Sequence, residues 1–209
     1  MSIIEEKKWI RKAAAGDADA FEKLVLKYQG QVYNLCLRMT GNTEDAADLS
    51  QESFLKAWRN LESFQGDSAF STWLYRLASN TCLDFLRSIK RKPQLSLVAT
   101  DKNGEEQLLD LPDTAPSPEE HILAAEEQDL LEKAMAALDT EQRQILTLRV
   151  VNDLRYNEIA EILSLKEGTV KSRLARARDQ LRKNLEKLGN QGAQSASYKQ
   201  KGGHDNALR

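Results

Sequence analysis

The chain has 209 residues, 41% of them hydrophobic, and 30 basic against 32 acidic side chains leave a formal net charge of −2. That length accommodates one large domain or two modest ones, and no run approaches the roughly 18 apolar residues of a membrane span. The N-terminal stretch MSIIEEKKWIRKAAAGDADAF has no signal-peptide core, so a cytoplasmic protein without membrane insertion is expected.

Strand signals are nearly absent, whereas apolar residues recur at helical spacing through most of the chain, so the fold class is all-α. Phe21, Leu24, Val25, Tyr28, Val32, Leu35 and Met39 mark a first long helix ending near Gly41. Asn42 and Thr43 are natural N-caps for a second helix running to about Leu61, with Glu44, Asp45 and Asp48 in the early turns that the macrodipole favours. After a loop at Gly66, Asp67 and Ser68, a third helix from about Ala69 to Lys90 turns Leu74, Leu77, Ala78, Thr81, Phe85 and Ile89 inward, and Pro93 closes it. Periodicity then disappears, and Pro112, Pro116 and Pro118 mark a flexible linker. Helical pattern returns from Ile122 to Leu138, a helix capped by Asp139 or Thr140 reaches Val151, and two more follow at Tyr156–Leu163 and Glu167 to about Leu188. The expected organisation is therefore a helical domain over 1–93, a linker over 94–120, a second helical domain over 121–188 and a disordered tail over 189–209.

Charge is segregated along this plan. From Ser164 to Lys187 eight basic residues face three acidic ones, net +5, whereas from Gln94 to Glu120 one lysine faces seven acids, net −6. A cationic helix and an acidic connector thus hide behind a near-neutral mean. Cys36 and Cys82 lie far apart in sequence within apolar-periodic segments, with no CxxC and with His121 and His204 remote from both. Reduced buried thiols are expected, with no disulfide, no metal and no cofactor.

Three constellations carry function. Tyr156–Arg182, YNEIAEILSLKEGTVKSRLARARDQLR, has the spacing of a helix-turn-helix, with Ile159, Ala160 and Leu163 inside the first helix. In the second helix, Val170, Leu174, Ala177, Leu181, Leu185 and Leu188 form one stripe. Thr169, Ser172, Arg176 and Lys183 lie opposite it, flanked by Lys171, Arg173 and Arg178. Arg reads guanine bidentately and hydroxyls and Lys hold phosphates, so this face suits a major groove. Ser164 occupies a turn position where glycine is common, at a cost of about 1 kcal/mol if the residue is left-handed.

On the second predicted helix, Asp45, Asp48, Leu49, Glu52 and Lys56 project to one side and Ala47, Phe54, Trp58 and Leu61 to the other. An acidic face with one exposed leucine suits docking onto a basic partner helix, although such faces are commonly just solvated. On the third predicted helix Arg76, Asn80, Asp84, Arg87 and Arg91 share a face, preceded by the aromatic segment SFQGDSAFSTW. Rings and short polar groups beside a basic helix are what an unstacked base of single-stranded nucleic acid requires, while Trp73 is equally suited to a core position.

Asp45–Leu61 (DAADLSQESFLKAWRNL), Phe70–Arg87 (FSTWLYRLASNTCLDFLR), Leu138–Arg149 (LDTEQRQILTLR) and then EIAEIL with EGTVKSRLARARDQLR together resemble the sigma-70 family of RNA polymerase sigma factors, extracytoplasmic-function subgroup. The likeness covers about Ala15 to Lys187 in family order. It implies a region 2 domain in which Asp45, Asp48, Leu49, Gln51, Glu52 and Phe54 dock core polymerase at the β′ clamp helices, with the β subunit also a partner. It implies that Phe64, Ser71, Thr72, Trp73, Arg76, Asn80 and Arg87 bind the minus-ten promoter element, the loop from Phe64 to Trp73 capturing a flipped base. It further implies a region 4 domain in which Thr169, Lys171, Ser172, Arg173 and Arg176 read the minus-thirty-five element of promoter DNA. An anti-sigma factor is an implied partner, and the acidic linker is suited to follow a cationic channel of the polymerase. No catalytic residue is expected: the sequence has no glycine-rich phosphate loop, no His and carboxylate pairing at ligand spacing and no nucleophile motif. A free-standing helix-turn-helix regulator is the competing reading. It predicts operator binding without polymerase and leaves the acidic helix and the aromatic loop without a role.

Overall fold

A computed structural model of the chain describes residues 3–91 and 128–201, with backbone only at residue 3 and at 191–201. The acidic linker, its prolines, His121 and His204 lie outside the described residues.

The N-terminal half is a helical bundle. Helix α1 (Ile3–Ala14) is absent from the sequence reading because half of its twelve residues are charged and its apolar contribution is small. It packs Trp9, Ile10, Ala13 and Ala14 against the bundle core. Helix α2 (Ala18–Thr40) starts where the Asp17 carboxylate accepts the Ala20 N–H at 3.0 Å. It ends at Gly41, whose φ of 71° lets its N–H reach the Leu37 carbonyl. Helix α3 (Thr43–Asn60) is capped by Asn42, whose side chain accepts the Asp45 N–H at 2.9 Å. A 3₁₀ turn (Leu61–Ser63) and a loop through Gly66, φ 80°, lead into α4 (Phe70–Arg91). Leu24, Val32, Leu35, Met39, Leu61 and Leu74 are sealed at the centre. Ile89, expected inward, is half exposed because the last turns of α4 run beyond the helices that cover its start.

The C-terminal half begins with α5, described over residues 128–136, then α6 (Thr140–Val150), α7 (Tyr156–Leu163) and α8 (Glu167–Lys201). Asp139 caps α6 by accepting the Gln142 N–H at 2.8 Å, and the Glu158 carboxylate reaches back to the Arg155 N–H at 2.7 Å to start α7. Ile145, Leu148, Ile159, Val170 and Leu174 close this core, joined by Ile162, which the helical pattern left unassigned. Ser164 adopts φ 53° and ψ 46°, the left-handed conformation anticipated for that turn, and its N–H caps α7 onto the Ala160 and Glu161 carbonyls. The backbone of α8 remains helical to Lys201, past the end expected near Leu188. The Ala, Gln and Lys residues after Gly192 are good helix formers, so two glycines do not end the helix.

The two halves pack against each other, α2 with α6 and α4 with α7, and their apolar interiors form one continuous cluster. Arg143 of α6 makes the central junction. It donates to the Met39 carbonyl at the end of α2 (3.0 Å) and to the Ala136 and Leu138 carbonyls at the end of α5 (2.6 and 3.3 Å). One half-buried cation thus serves the orphan carbonyls of two helix C-termini, where the macrodipole is negative. Burial lowers the guanidinium pKa, but not enough to discharge an arginine. Arg143→Ala should lower unfolding free energy by about 2–3 kcal/mol, because the carbonyls lose a charged donor. Ser164→Gly should raise it by about 0.5 kcal/mol by relieving the left-handed serine. Guanidinium denaturation of the variants beside the parent checks both.

Candidate functional site

Three surfaces collect the functional residues. On α3 the exposed side is formed by Glu44, Ala47, Asp48, Gln51, Glu52 and Leu55. Asp45 stands at its edge, its carboxyl raised above the usual range first by burial and then by the neighbouring Asp48 and Glu44 charges. One expectation is corrected here: Leu49, expected as the exposed leucine, is 4% exposed, whereas Phe54, which the projection set on the core side, is 8% exposed. Helix α3 packs against both α2 and α4, and Leu49 falls on the side those helices cover. Ser53 faces inward, Lys56 bonds the Thr81 hydroxyl of α4 at 3.1 Å, and Trp58 stacks on Phe21 of α2 at 4.9 Å between ring centroids. Leu55, half exposed, is the leucine the ridge presents. Beside it Phe21, Val25, Phe54 and Trp58 line an apolar cleft of about 340 Å³. The surface therefore pairs an acidic ridge with an apolar recess, which suits a partner helix that is basic with protruding apolar side chains.

The second surface is the loop before α4 together with the exposed face of α4. Phe64, Phe70 and Trp73 form a mutually packed triad with centroids 5.2 to 5.8 Å apart. Phe70 is buried and the other two rings are half-buried, so Trp73 belongs both to the packing and to the surface. Next to the triad a cleft of about 640 Å³ opens between Phe64, Gly66, Ser71 and Tyr28 on one side and Glu6 and Ile10 of α1 on the other. Glu6 accepts from the Tyr28 hydroxyl at 2.6 Å and pairs with Lys27. Burial, then the Glu6 hydrogen bond, push the Tyr28 phenol far above its ordinary range, so it stays protonated. Ser71 is half-buried at the cleft wall, but Thr72 is 1% exposed and presents nothing to the surface, which corrects its place in the DNA-binding set. An α-helix start puts consecutive side chains on different sides, and Thr72 falls on the packed one. Arg76, Asn80 and Arg87 share one side of α4: Asn80 and Arg87 are exposed, with Arg87 paired to Asp84 at 3.3 Å, and the half-buried Arg76 donates to the Glu161 carbonyl of α7 at 3.1 Å.

The third surface is the N-terminal half of α8. Lys171, Ser172 and Arg176 are exposed, Thr169 and Arg173 half-exposed, and Val170, Leu174 and Ala177 face the core as the stripe predicts. Arg173 is held by Glu141 of α6 at 2.8 Å, and Arg176 folds back toward the Ser172 carbonyl at 3.4 Å. Further along, Asp179 grips Lys183 and Arg182 at 2.8 and 2.7 Å, and those hydrogen bonds hold its carboxyl below the usual range. The sequence reading passed over Tyr156. Its ring lies 5.7 Å from the Arg149 guanidinium and 5.9 Å from the Lys171 ammonium, so one aromatic ring meets two cations. An aromatic at the first residue of α7, one turn-and-helix before a basic segment, was the available signal.

No group of three or more His, Cys, Asp or Glu side chains suited to a metal occurs among the described residues. Cys36 and Cys82, distant in sequence, meet between α2 and α4, both fully buried. The hydrogen bond to Cys36 and then burial push the Cys82 thiol well above its ordinary range, which suppresses thiolate chemistry.

Two family profiles match the chain in order: "Sigma-70 region 2" over residues 24–92 and "Sigma-70, region 4" over residues 128–181. The chain is 35% identical over 182 residues to the ECF RNA polymerase sigma factor SigW of Bacillus subtilis, covering 87% of this chain and 97% of that protein. It is 37% identical over 188 residues to the RNA polymerase sigma-H factor of Pseudomonas aeruginosa, covering 88% and 95% respectively. Among solved structures it is similar to the sigma factor RpoE of Bartonella quintana, crystallised with the anti-sigma factor NepR. That likeness has a TM-score of 0.61 at 25% identity, covering 79% of this chain and 96% of that one. It shares the fold of CnrH, solved in complex with the cytosolic domain of CnrY, at TM-score 0.62 and 22% identity over 87% of this chain and 97% of that one.

Both thiols should resist iodoacetamide at mildly alkaline pH in the native chain and alkylate fully once concentrated guanidinium unfolds it, as mass spectrometry will register.

Proposed function

The chain belongs to the sigma-70 family, in its extracytoplasmic-function subgroup, and from that premise we propose how its surfaces divide the work. It directs core RNA polymerase to specific promoters and assists their opening, with core polymerase, promoter DNA and an anti-sigma factor as its partners. Among the described residues no helix is long and apolar enough to cross a membrane, and the protein works in the cytoplasm where polymerase and DNA are.

Its contribution is binding without covalent chemistry of its own. The ridge of α3, with Asp45, Asp48, Gln51, Glu52 and Leu55, docks the clamp helices of the β′ subunit. Charge steers that encounter, while Leu55 and the recess beside it supply the desolvated area. Leu49 supports the ridge from inside, while Phe54 forms part of the wall of the recess. The cleft beside Phe64 and Ser71 receives one unstacked base of the minus-ten element, with Trp73 bracing the aromatic wall. Arg76, Asn80 and Arg87 hold the strand that leaves the cleft. In the C-terminal half, Thr169, Lys171, Ser172, Arg173 and Arg176 enter the major groove at the minus-thirty-five element, and Tyr156 supports Lys171. Linking two weak binders through one chain raises the effective concentration of the second once the first has engaged.

The observation that carries this reading is the pairing, in one chain and in family order, of an exposed acidic docking ridge with a cationic helix-turn-helix face. A free-standing regulator uses only the second. Asp48→Arg combined with Glu52→Arg should abolish co-purification with core polymerase while circular dichroism stays unchanged, since both side chains are exposed. Retained co-purification would remove α3 from the interface. Arg176→Ala should weaken binding to upstream duplex DNA by about 1–3 kcal/mol, measured with the polymerase-bound protein on a selected promoter.

A further inference from the structure

Two cations in the first turns of α8 are held from outside their own helix, and by different chemistry. Lys171 meets the Tyr156 ring of α7, its ammonium 5.9 Å from the centroid, a contact that leaves its charge uncancelled. Arg173 meets a carboxylate: Glu141 of α6, 32 residues away in the chain, accepts from its Nη1 at 2.8 Å. Arg176 folds onto its own helix, toward the Ser172 carbonyl at 3.4 Å. The Glu141–Arg173 pair lies in an open recess of about 290 Å³ between the starts of α6 and α8, together with Thr169 and Arg176.

Capping of α6 falls to Asp139, which accepts the Gln142 N–H, and among the described residues the Glu141 side chain bonds Arg173 alone. With 72% of the Glu141 side chain and 38% of the Arg173 side chain exposed, the pair contributes little to stability. Its effect is on direction. An unpaired arginine on a helix surface has several soft torsions, and ordering them on binding costs entropy. A carboxylate on Nη1 fixes the guanidinium plane before DNA arrives and leaves Nε and Nη2 as a two-donor edge. Such an edge matches O6 and N7 of guanine in a major groove.

We propose that Glu141 is a positioning residue for promoter recognition. It pre-sets Arg173 so that the Nε–Nη2 edge reads a guanine of the upstream duplex, and it cancels the charge that would otherwise draw Arg173 to a phosphate. This rests on the placement of Arg173 at the minus-thirty-five element and deepens it. Two neighbours on one helix then do different work: Lys171 adds attraction that is blind to sequence, and Arg173 adds discrimination. Because Glu141 lies on α6, ahead of the helix-turn-helix, base preference is set in part from outside the segment that enters the groove.

The test uses the full chain bound to core RNA polymerase and a library of promoter duplexes randomised over the upstream element, the bound fraction being sequenced at low and at high salt. Arg173→Ala should erase a preference for guanine at one position, about tenfold in the parent. Glu141→Ala should lower the preference at that same position about threefold and leave the other positions unchanged. It should also steepen the dependence of log affinity on log salt by about one, as the freed guanidinium turns to a phosphate. Glu141→Gln, which keeps an acceptor and loses the charge, should retain the preference and still steepen the salt dependence. Both Glu141 variants should keep the parent's thermal midpoint by circular dichroism. In the Arg173→Ala background, Glu141→Ala should change the base profile no further. An unchanged base profile in Glu141→Ala overturns the proposal, and so does a loss that persists without Arg173, because Glu141 would then touch the base itself. If Arg173→Ala alters no position, the placement of Arg173 at the upstream element fails and the positioning role with it.

Discussion

A single half-buried guanidinium, that of Arg143, ties three helices together. Three carbonyls at two helix ends have no intrahelical partner, and Arg143 satisfies all three from a third helix. Without it, α2 and α5 would end in unpaired, partly negative carbonyls next to the apolar cluster that runs through both halves. Two of its three bonds stay inside the C-terminal half, while the bond to Met39 crosses to the N-terminal half. Separation of the halves would break that bond without stranding the cation, which keeps its bonds to the end of α5. A junction of this kind holds the pieces in register and still lets them part.

The division of surfaces follows from what each helix must bury. Helix α3 packs on α2 and α4, and its opposite side, rich in acidic residues, stays exposed as a ridge that includes Leu55. Helix α8 is covered on one side only, so most of its first turns can carry cations, held apart by Glu141, Asp179 and the Tyr156 ring. Between them, α4 serves two neighbours: its early turns complete the bundle and the aromatic cleft, and its outer side meets α7.

The sequence made the helices legible wherever apolar spacing was strong and a capping residue was present. Asp17, Asn42 and Asp139 cap the helices that follow them, and the helix-turn-helix limits at Tyr156, Leu163 and Glu167 match to the residue. Helix α1 was not legible, because its stability comes from packing on a surface that only the folded bundle creates. Leu49 was misplaced because a helical projection gives relative direction around an axis, but the neighbours that pack on the helix decide which directions are inside; Thr72 came from the resemblance and lies on the packed side of α4. The pairing of Arg76 with Glu161 and the meeting of Cys36 with Cys82 depend on contacts 85 and 46 residues apart in the chain, beyond any periodicity. The ionic character of the exposed faces, by contrast, was readable throughout, since charge segregation survives whatever the packing.

The most direct measurement is in vitro transcription from a pooled promoter library by core RNA polymerase, with and without the purified protein. The account predicts discrete start sites that appear only when the protein is added, with two shared upstream elements at a fixed spacing. If no new transcripts form while the protein alone binds a specific duplex, the chain acts as a free-standing DNA-binding regulator and the account is wrong.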